Sequence, residues 1–322
     1  MRKLACLLIA AFMCLTMNGL AFGADTYPSK PIKLIVPYGA GNATDAAARL
    51  MVKYLEKELS TSVAIVNVAG AAGTIGSMQV LRAKPDGYTL LWNHLSLLTA
   101  YHTGASKFTW DSLTPICNGV RFYKTLVVRG DAPWKNLQEF VDDARKNPGK
   151  IKWGVNIGAG LHFEALGFET LTGTKFHFVA GEGEADQINA MLGGRIDVCT
   201  PSPQIVMQYK EDGRIRALAS STEERIPSLP GVPTYKEEGV DLTFMYEPAL
   251  YGPAELPDSI VERLNQAVAN VMKNPEFIAG LAKLGMDPAY MSQEDFRQHL
   301  LRLDSQMYMF ARQGGLIPKP KL

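Results

Sequence analysis

From Lys33 onward the chain alternates short apolar runs with stretches whose apolar residues recur in helical period, and glycine-rich turns separate the two. Few architectures accept that order. The run Lys33-Leu34-Ile35-Val36 precedes a helix predicted over 45–59, with Ala47, Leu50, Met51, Tyr54 and Leu55 on one face. Residues 63–67 read as the next strand, 69–76 as a glycine-rich loop, and Pro85-Asp86-Gly87 as the turn into a strand over 88–92. The rhythm resumes with a helix over 137–146, stopped by Asn147-Pro148-Gly149, and a strand over 151–155. A loop at Gly158-Ala159-Gly160, a helix over 161–171 and a strand over 175–179 follow. Next come the loop Gly181-Glu182-Gly183-Glu184, a helix ending at Leu192 before Gly193-Gly194, and strands over 195–199 and 216–219. Repeated βα units bury strands on both faces, so the expected class is α/β, with mostly parallel sheets flanked by helices. From Asp258 the pattern is helical, with Ile260, Leu264 and Val268 on one face and Phe296, Leu300, Leu303 and Met307 on another. Such a tail is expected to pack back on an earlier sheet.

Ahead of this pattern, Arg2 and Lys3 precede an apolar run from Leu4 to Met17, followed by the small-residue triplet Ala21-Phe22-Gly23. That is the layout of a secretory signal peptide over 1–23. The run falls short of the roughly 20 residues needed to span a bilayer, and Ala21 and Gly23 suit a cleavage site. Bulky Phe12 and Met13 before Cys14 argue against a lipoprotein. The expected product is a soluble exported chain that begins near Ala24. Removing Arg2 and Lys3 shifts the balance of 33 basic and 32 acidic side chains by two, leaving it near neutral. A neutral surface excludes the basic stripe that nucleic acid or an anionic membrane requires. Of four cysteines, Cys6 and Cys14 leave with the signal, and Cys117 and Cys199 remain as one disulfide or two buried thiols. No Cys-x-x-Cys or His-x-x-x-His pair supports zinc, and no Gly-x-Ser-x-Gly elbow supports a nucleophile. Neither a metal, a cofactor nor a catalytic residue is expected.

Two glycine loops stand at strand-to-helix junctions. In Pro37-Tyr38-Gly39-Ala40-Gly41-Asn42-Ala43-Thr44-Asp45 the glycines let main-chain N–H groups turn toward a ligand at a helix start, where anions bind well. It is not a dinucleotide fingerprint, because Thr44 replaces the third glycine and the strand over 63–67 ends at Asn67 without a ribose-binding acid. Asn42, Thr44 or Asp45 can cap the helix in either case. Gly158-Ala159-Gly160 has the same position in the later half, with His162 in the first helical turn. Glu182 and Glu184 suggest paired carboxylates, although adjacent acids in a glycine loop are usually solvated.

With these loops in view, the chain resembles the extracytoplasmic solute-binding proteins of tripartite tricarboxylate transporters, the Bug or TctC family. The likeness runs through Tyr27-Pro28-Ser29-Lys30-Pro31-Ile32, Val36-Pro37-Tyr38, Asn67, Gly70-Ala71-Ala72-Gly73-Thr74-Ile75-Gly76 and Pro85-Asp86-Gly87-Tyr88-Thr89-Leu90. It continues through Asn147-Pro148-Gly149-Lys150, Leu192-Gly193-Gly194-Arg195-Ile196-Asp197-Val198, Gly213-Arg214-Ile215-Arg216-Ala217-Leu218-Ala219 and Leu229-Pro230-Gly231-Val232-Pro233-Thr234. The order and spacing of these pieces, rather than any one of them, carry it.

The resemblance implies a two-lobed periplasmic-binding-protein fold of type II-like form, with one lobe from 24–125 and 247–322 and the other from 126–246. Hinge strands would lie near Leu126 and Tyr246. It implies a monomer that closes on a small organic carboxylate and delivers it to a large and a small membrane subunit. Carried over by position, the first lobe supplies Tyr38, Asn42, Ala43, Thr44, Asp45 and Asn93. The second supplies Asn156, Gly158, Ala159, Gly160, Gly181, Glu182, Gly183, Glu184 and Ser202. Three departures matter: Asn42 replaces a usual glycine, the stretch before His162 is shorter and lacks hydroxyls, and Gly181-Glu182-Gly183-Glu184 replaces Tyr-Lys-Gly-Gly. The added acids imply a ligand with an amine, a nearby cation or an uncharged far end, unless both acids point to solvent. A binding protein that presents its ligand to a membrane kinase, and a secreted hydrolase, are the competing readings.

Overall fold

The computed structural model describes residues 27–181 and 183–317, so the signal peptide expected over 1–23 and Glu182 lie outside the described residues. The chain opens with β1 Ile32–Val36, α1 Ala43–Leu59, β2 Val63–Asn67, α2 Thr74–Leu81, β3 Thr89–Asn93, α3 Ser96–His102 and β4 Thr114–Tyr123. It then builds β5 Thr125–Arg129, α4 Leu137–Lys146, β6 Lys152–Val155, α5 Gly160–Thr172, β7 His177–Ala180, α6 Glu184–Leu192, β8 Val198–Cys199, α7 Pro203–Lys210 and β9 Ile215–Ser220. It returns through β10 Met245–Tyr246, β11 Ala249–Gly252, α8 Asp258–Val271, α9 Pro275–Lys283, β12 Asp287–Met291 and α10 Gln293–Gln313.

Two sheets result, one per lobe. The first has the order β10-β4-β11-β3-β1-β2 with β12 also on β4, and the second β7-β6-β8-β5-β9. The α/β two-lobed class expected from the sequence holds, and within it the sheets are mixed rather than mostly parallel. β1 pairs in parallel with β2 and β3, and β6 with β7 and β8. β10, β11 and β12 run antiparallel to β4, and β5 runs antiparallel to β8 and β9. The cause is the route of the chain. Strands that leave one lobe and return to it meet the βα strands head to tail, without a crossover helix between them.

Two further expectations change. The glycine loop over 69–76 is shorter, because Ala71–Gly73 forms a 3₁₀ turn and Thr74 already begins α2. The tail is not wholly helical, since β12 adds an edge to β4; five residues containing Pro288 show no clear strand period. Residues 137–146 form a helix as expected, capped by Asn136. Among the described residues no helix is long and apolar enough to cross a membrane, and no group of three or more His, Cys, Asp or Glu could hold a metal. Cys117 on β4 and Cys199 on β8 are buried free thiols in different sheets, which decides between the two readings of the pair.

The tail packs where its periodicity predicted, yet it does more than cover its own lobe. Phe296, Leu300, Met307, Phe310 and Ala311 of α10 are buried, and α10 lies along α5 of the second lobe. α5 is buried nearly all round, from Gly160 to Glu169 and at Thr172, as a helix sandwiched between layers must be. Gly167 permits the approach: a Cβ there would come within 2.7 Å of Phe310 Cε2. Gly167→Ala should therefore destabilise the protein by about 1–3 kcal/mol through overpacking. Gly231→Ala, where an added Cβ meets nothing within 4 Å, should change stability by less than about 0.5 kcal/mol. Urea denaturation of both variants is the measurement, and equal midpoints would refute tight packing of α5 on α10.

Candidate functional site

The parallel strands β1, β2, β6 and β7 end in glycine-bearing turns, and the C-terminal ends of such strands are where open α/β sheets bind ligands. In the first lobe the turn after β1 is held from within. Asn42 Oδ1 accepts from Asp45 N at 3.0 Å, and Asn42 Nδ2 donates to Gly39 O at 2.7 Å. Asp45 is buried and accepts from Gly41 N at 2.8 Å, Arg49 Nε at 2.8 Å and Asn67 Nδ2 at 2.8 Å. Burial works to raise its pKa, but those three donors outweigh burial and hold the carboxyl below the usual range. Ala43 and the buried Thr44 form the first turn of α1. Asn42 and Asp45 thus shape the loop.

Tyr38 and the turn after β3 form a second cluster. The Tyr38 hydroxyl lies 2.6 Å from Ser96 Oγ and 2.9 Å from Asn93 Oδ1. Asn93, fully buried, also accepts from Ser96 Oγ at 2.8 Å and donates through Nδ2 to Ser77 Oγ at 3.1 Å. Tyr38 stacks on His94 with ring centroids 4.9 Å apart, and His94 meets Tyr246 edge-on at 5.7 Å and Phe122 edge-on at 6.2 Å. Phe122 and Tyr246 stack at 5.2 Å. These aromatics form the floor where β4 and β10 lead out of the first lobe.

Lys124 stands at the crossing between β4 and β5. It is 4% exposed, and its Nζ lies 5.4 Å from the ring centroids of both Phe122 and Tyr246. Nζ donates to Glu184 Oε1 at the start of α6, and Glu184 Oε2 accepts from Ser202 N at 2.8 Å. Burial alone would raise the Glu184 pKa. The Lys124 charge and these hydrogen bonds outweigh it and hold the carboxyl below the ordinary range. Glu184 therefore faces inward as the partly exposed half of an ion pair whose lysine is buried, and removing it would leave that ammonium unpaired.

In the second lobe Asn156 Nδ2 donates to Gly181 O at 2.6 Å and Asn156 Oδ1 accepts from Gln187 Nε2 at 3.3 Å, so Asn156 ties two loops together. Gly158 N donates to His162 Nδ1 at 3.1 Å. Gly160 opens α5 against Tyr246: a Cβ there would come 2.5 Å from Tyr246 Cε1. A Cβ on Gly158 would lie 3.7 Å from Thr103 Cγ2, just past α3, so this loop packs against the first lobe. Helices α2, α5 and α6 begin at Gly73, Ala159 and Gly183 with no side-chain cap, in contrast to α1. Their starts offer main-chain N–H groups and the positive end of the helix dipole. Hollows of about 780 Å³ beside Arg263 and Gln293, and of about 470 Å³ beside Gly181 and Gln187, lie away from the aromatic floor.

The structure brings Tyr38, Gly160 and Glu184 of the expected set to one floor, places Asn93 and Ser202 directly behind it, and leaves Asn42 and Asp45 as loop supports. Reading the sequence missed His94, Phe122, Lys124 and Glu164. A signal existed for two of them. Lys124 interrupts the apolar run from Phe122 to Val128, and Glu164 lies among the apolar residues of α5, so each is a charge that needs a buried partner.

Two α/β lobes joined by extended crossings, with glycine-bearing turns of the second lobe packed against an aromatic cluster, are the architecture of a two-lobed solute-binding protein. The sequence pattern of the tripartite tricarboxylate transporter family receptor, TctC, matches residues 47–317, and the chain belongs to that family. A UPF0065 protein encoded in the gbd 5′ region of Cupriavidus necator is 31% identical over 279 residues, 85% of this chain and 84% of that protein. A TctC solute-binding protein from Polaromonas, solved without ligand, is 31% identical with TM-score 0.77, over 89% of this chain and all of that one. The R. palustris protein Rpa4515, solved with adipate, is 26% identical with TM-score 0.78, covering 90% of this chain and 98% of that one. Members of the family are periplasmic solute-binding proteins, not enzymes, and the chain is of that kind.

Two buried groups give the floor a pH signature. Burial, with Lys124 adding to it, pushes the His94 pKa down to about 3, so the imidazole is neutral. Glu164, fully buried with Tyr235 OH 3.4 Å from Oε1, is pushed by burial up to about 8 despite the opposing Lys124 charge. The lowered His94 pKa removes stability as pH falls below the ordinary 6.5, and the raised Glu164 pKa removes it as pH rises from 4.5 through about 8. Glu164→Gln should therefore abolish most of the fall in melting temperature between about pH 5 and about pH 9. An unchanged slope in differential scanning calorimetry would show that Glu164 does not titrate there.

Proposed function

We propose that this chain captures a small organic carboxylate in the cleft between its lobes and delivers it to the large and small membrane subunits of a tripartite tricarboxylate-type transporter. It does so in the periplasm, as a monomer exported by the signal peptide over 1–23. The observation that carries the reading is the convergence of the uncapped starts of α5 and α6 on the floor formed by Tyr38, His94, Tyr246 and Lys124. A carboxylate there receives main-chain N–H groups and helix dipoles without needing a free cation. Adipate in a relative 26% identical to this chain supports the ligand class.

In this reading the ligand's carboxylate meets Tyr38, Gly158, Ala159, Gly160, Gly181 and Gly183, while Asn42, Ala43, Thr44, Asp45, Asn93, Asn156 and Ser202 fix the loops that present them. Room for the ligand comes from parting of the lobes, 24–125 with 247–322 against 126–246, by rotation about the crossings near Leu126 and Tyr246.

Ligand bound only to the folded state adds about 2.7 kcal/mol at one hundred times Kd, enough to raise the melting temperature measurably. Ligand-stripped protein screened against mono-, di-, tri- and amino-carboxylates should show such a rise with at least one of them, and Gly160→Val should remove it. A flat response to the whole panel would defeat the carboxylate assignment. Small-angle scattering of the empty protein should give a larger radius of gyration than the saturated one, and identical values would argue against hinge closure.

A further inference from the structure

We propose that Glu184 sets the charge of the ligand: by neutralising Lys124 from within the chain, it fits the cleft to a monocarboxylate with an uncharged far end and disfavours a dicarboxylate. The inference rests on the carboxylate reading above. Glu184 is held as a bound carboxylate would be, by a buried ammonium on one oxygen and a main-chain N–H, that of Ser202, on the other. It is part of α6, so it competes at the high effective concentration of an intramolecular group. The second carboxylate of a dicarboxylate would have to displace it or lie beside it. Displacement strands a buried anion, and juxtaposition sets two anions against one cation.

Among the described residues, three other titratable groups near these loops offer no substitute. Arg49 is bonded to Asp45 at 2.8 Å and to Asn67 at 3.2 Å. His94 is neutral, and Glu164 carries a proton near pH 7. What attracts an anion is then the pair of helix starts, α5 and α6, which suits one carboxylate. Retention of a buried ion pair needs such a reason, because replacing one with apolar residues is often no less stable.

The test is the number of carboxyl groups on the native ligand. Ligand released from gently purified full-length protein, methyl-esterified and weighed by mass spectrometry, should carry one, and a ligand with two or more overturns the inference. Calorimetry with hexanoate and adipate, matched in length, supplies the second arm. Ligand-stripped wild type should favour hexanoate by about tenfold or more. In Glu184→Gln the ratio of adipate to hexanoate affinity should rise by about tenfold, whatever change the two ligands share, and adding Lys124→Met should erase that rise. Equal wild-type affinities, or a rise that survives loss of Lys124, overturn the inference and leave the carboxylate reading standing. If neither acid binds and the released ligand has no carboxyl group, the carboxylate reading falls as well.

Discussion

The ion pair between Lys124 and Glu184 joins the three parts on which the molecule depends: the crossing from β4 to β5, the start of α6, and the start of α7 through Ser202 N. A lysine with 4% exposure is tolerable only with a partner, and the chain supplies one 60 residues away. Once Nζ is fixed, the rings of Phe122 and Tyr246 stack beneath it and His94 and Tyr38 follow in contact. One charge pair therefore positions the second-lobe loops against an aromatic floor contributed by the first.

Glycine does the complementary work of allowing close approach. Gly160 lets the start of α5 meet Tyr246, and Gly167 on the same helix admits Phe310 of the C-terminal α10. Tyr246 lies on β10 of the first sheet and Phe310 on α10, so both contacts tie α5 to elements outside the second sheet. The tail thereby fastens to the helix that opens at the candidate site, and movement at the crossings must be accompanied by adjustment along α5 and α10. This links packing at the far end of α5 to the geometry of its N-terminus.

Among the described residues, the titratable groups around the aromatic floor leave little net charge. Asp45 is paired with Arg49, Glu184 with Lys124, His94 is uncharged and Glu164 is protonated near neutral pH. The uncapped starts of α5 and α6 add partial positive charge there, fixed in direction by the helices.

The sequence by itself determined the local elements and their class. The period of apolar residues placed α1, α4 and most βα strands within a few residues, and the collinear glycine and proline turns identified the family before any fold was in hand. It also marked both strand-to-helix loops, because glycine and an Asn cap leave a recognisable spelling within a few residues. What the tertiary structure alone decided were the relations between residues far apart. That Asn42 and Asp45 hold their loop, that Glu184 is paired rather than solvated, and that β12 interrupts a helical tail all depend on partners at Gly39, Gly41, Lys124 and β4. Periodicity and turn chemistry act over one turn or one strand pair and are written in adjacent residues. The partner of a buried charge or of an edge strand is chosen by how the lobes pack, and no local pattern encodes it.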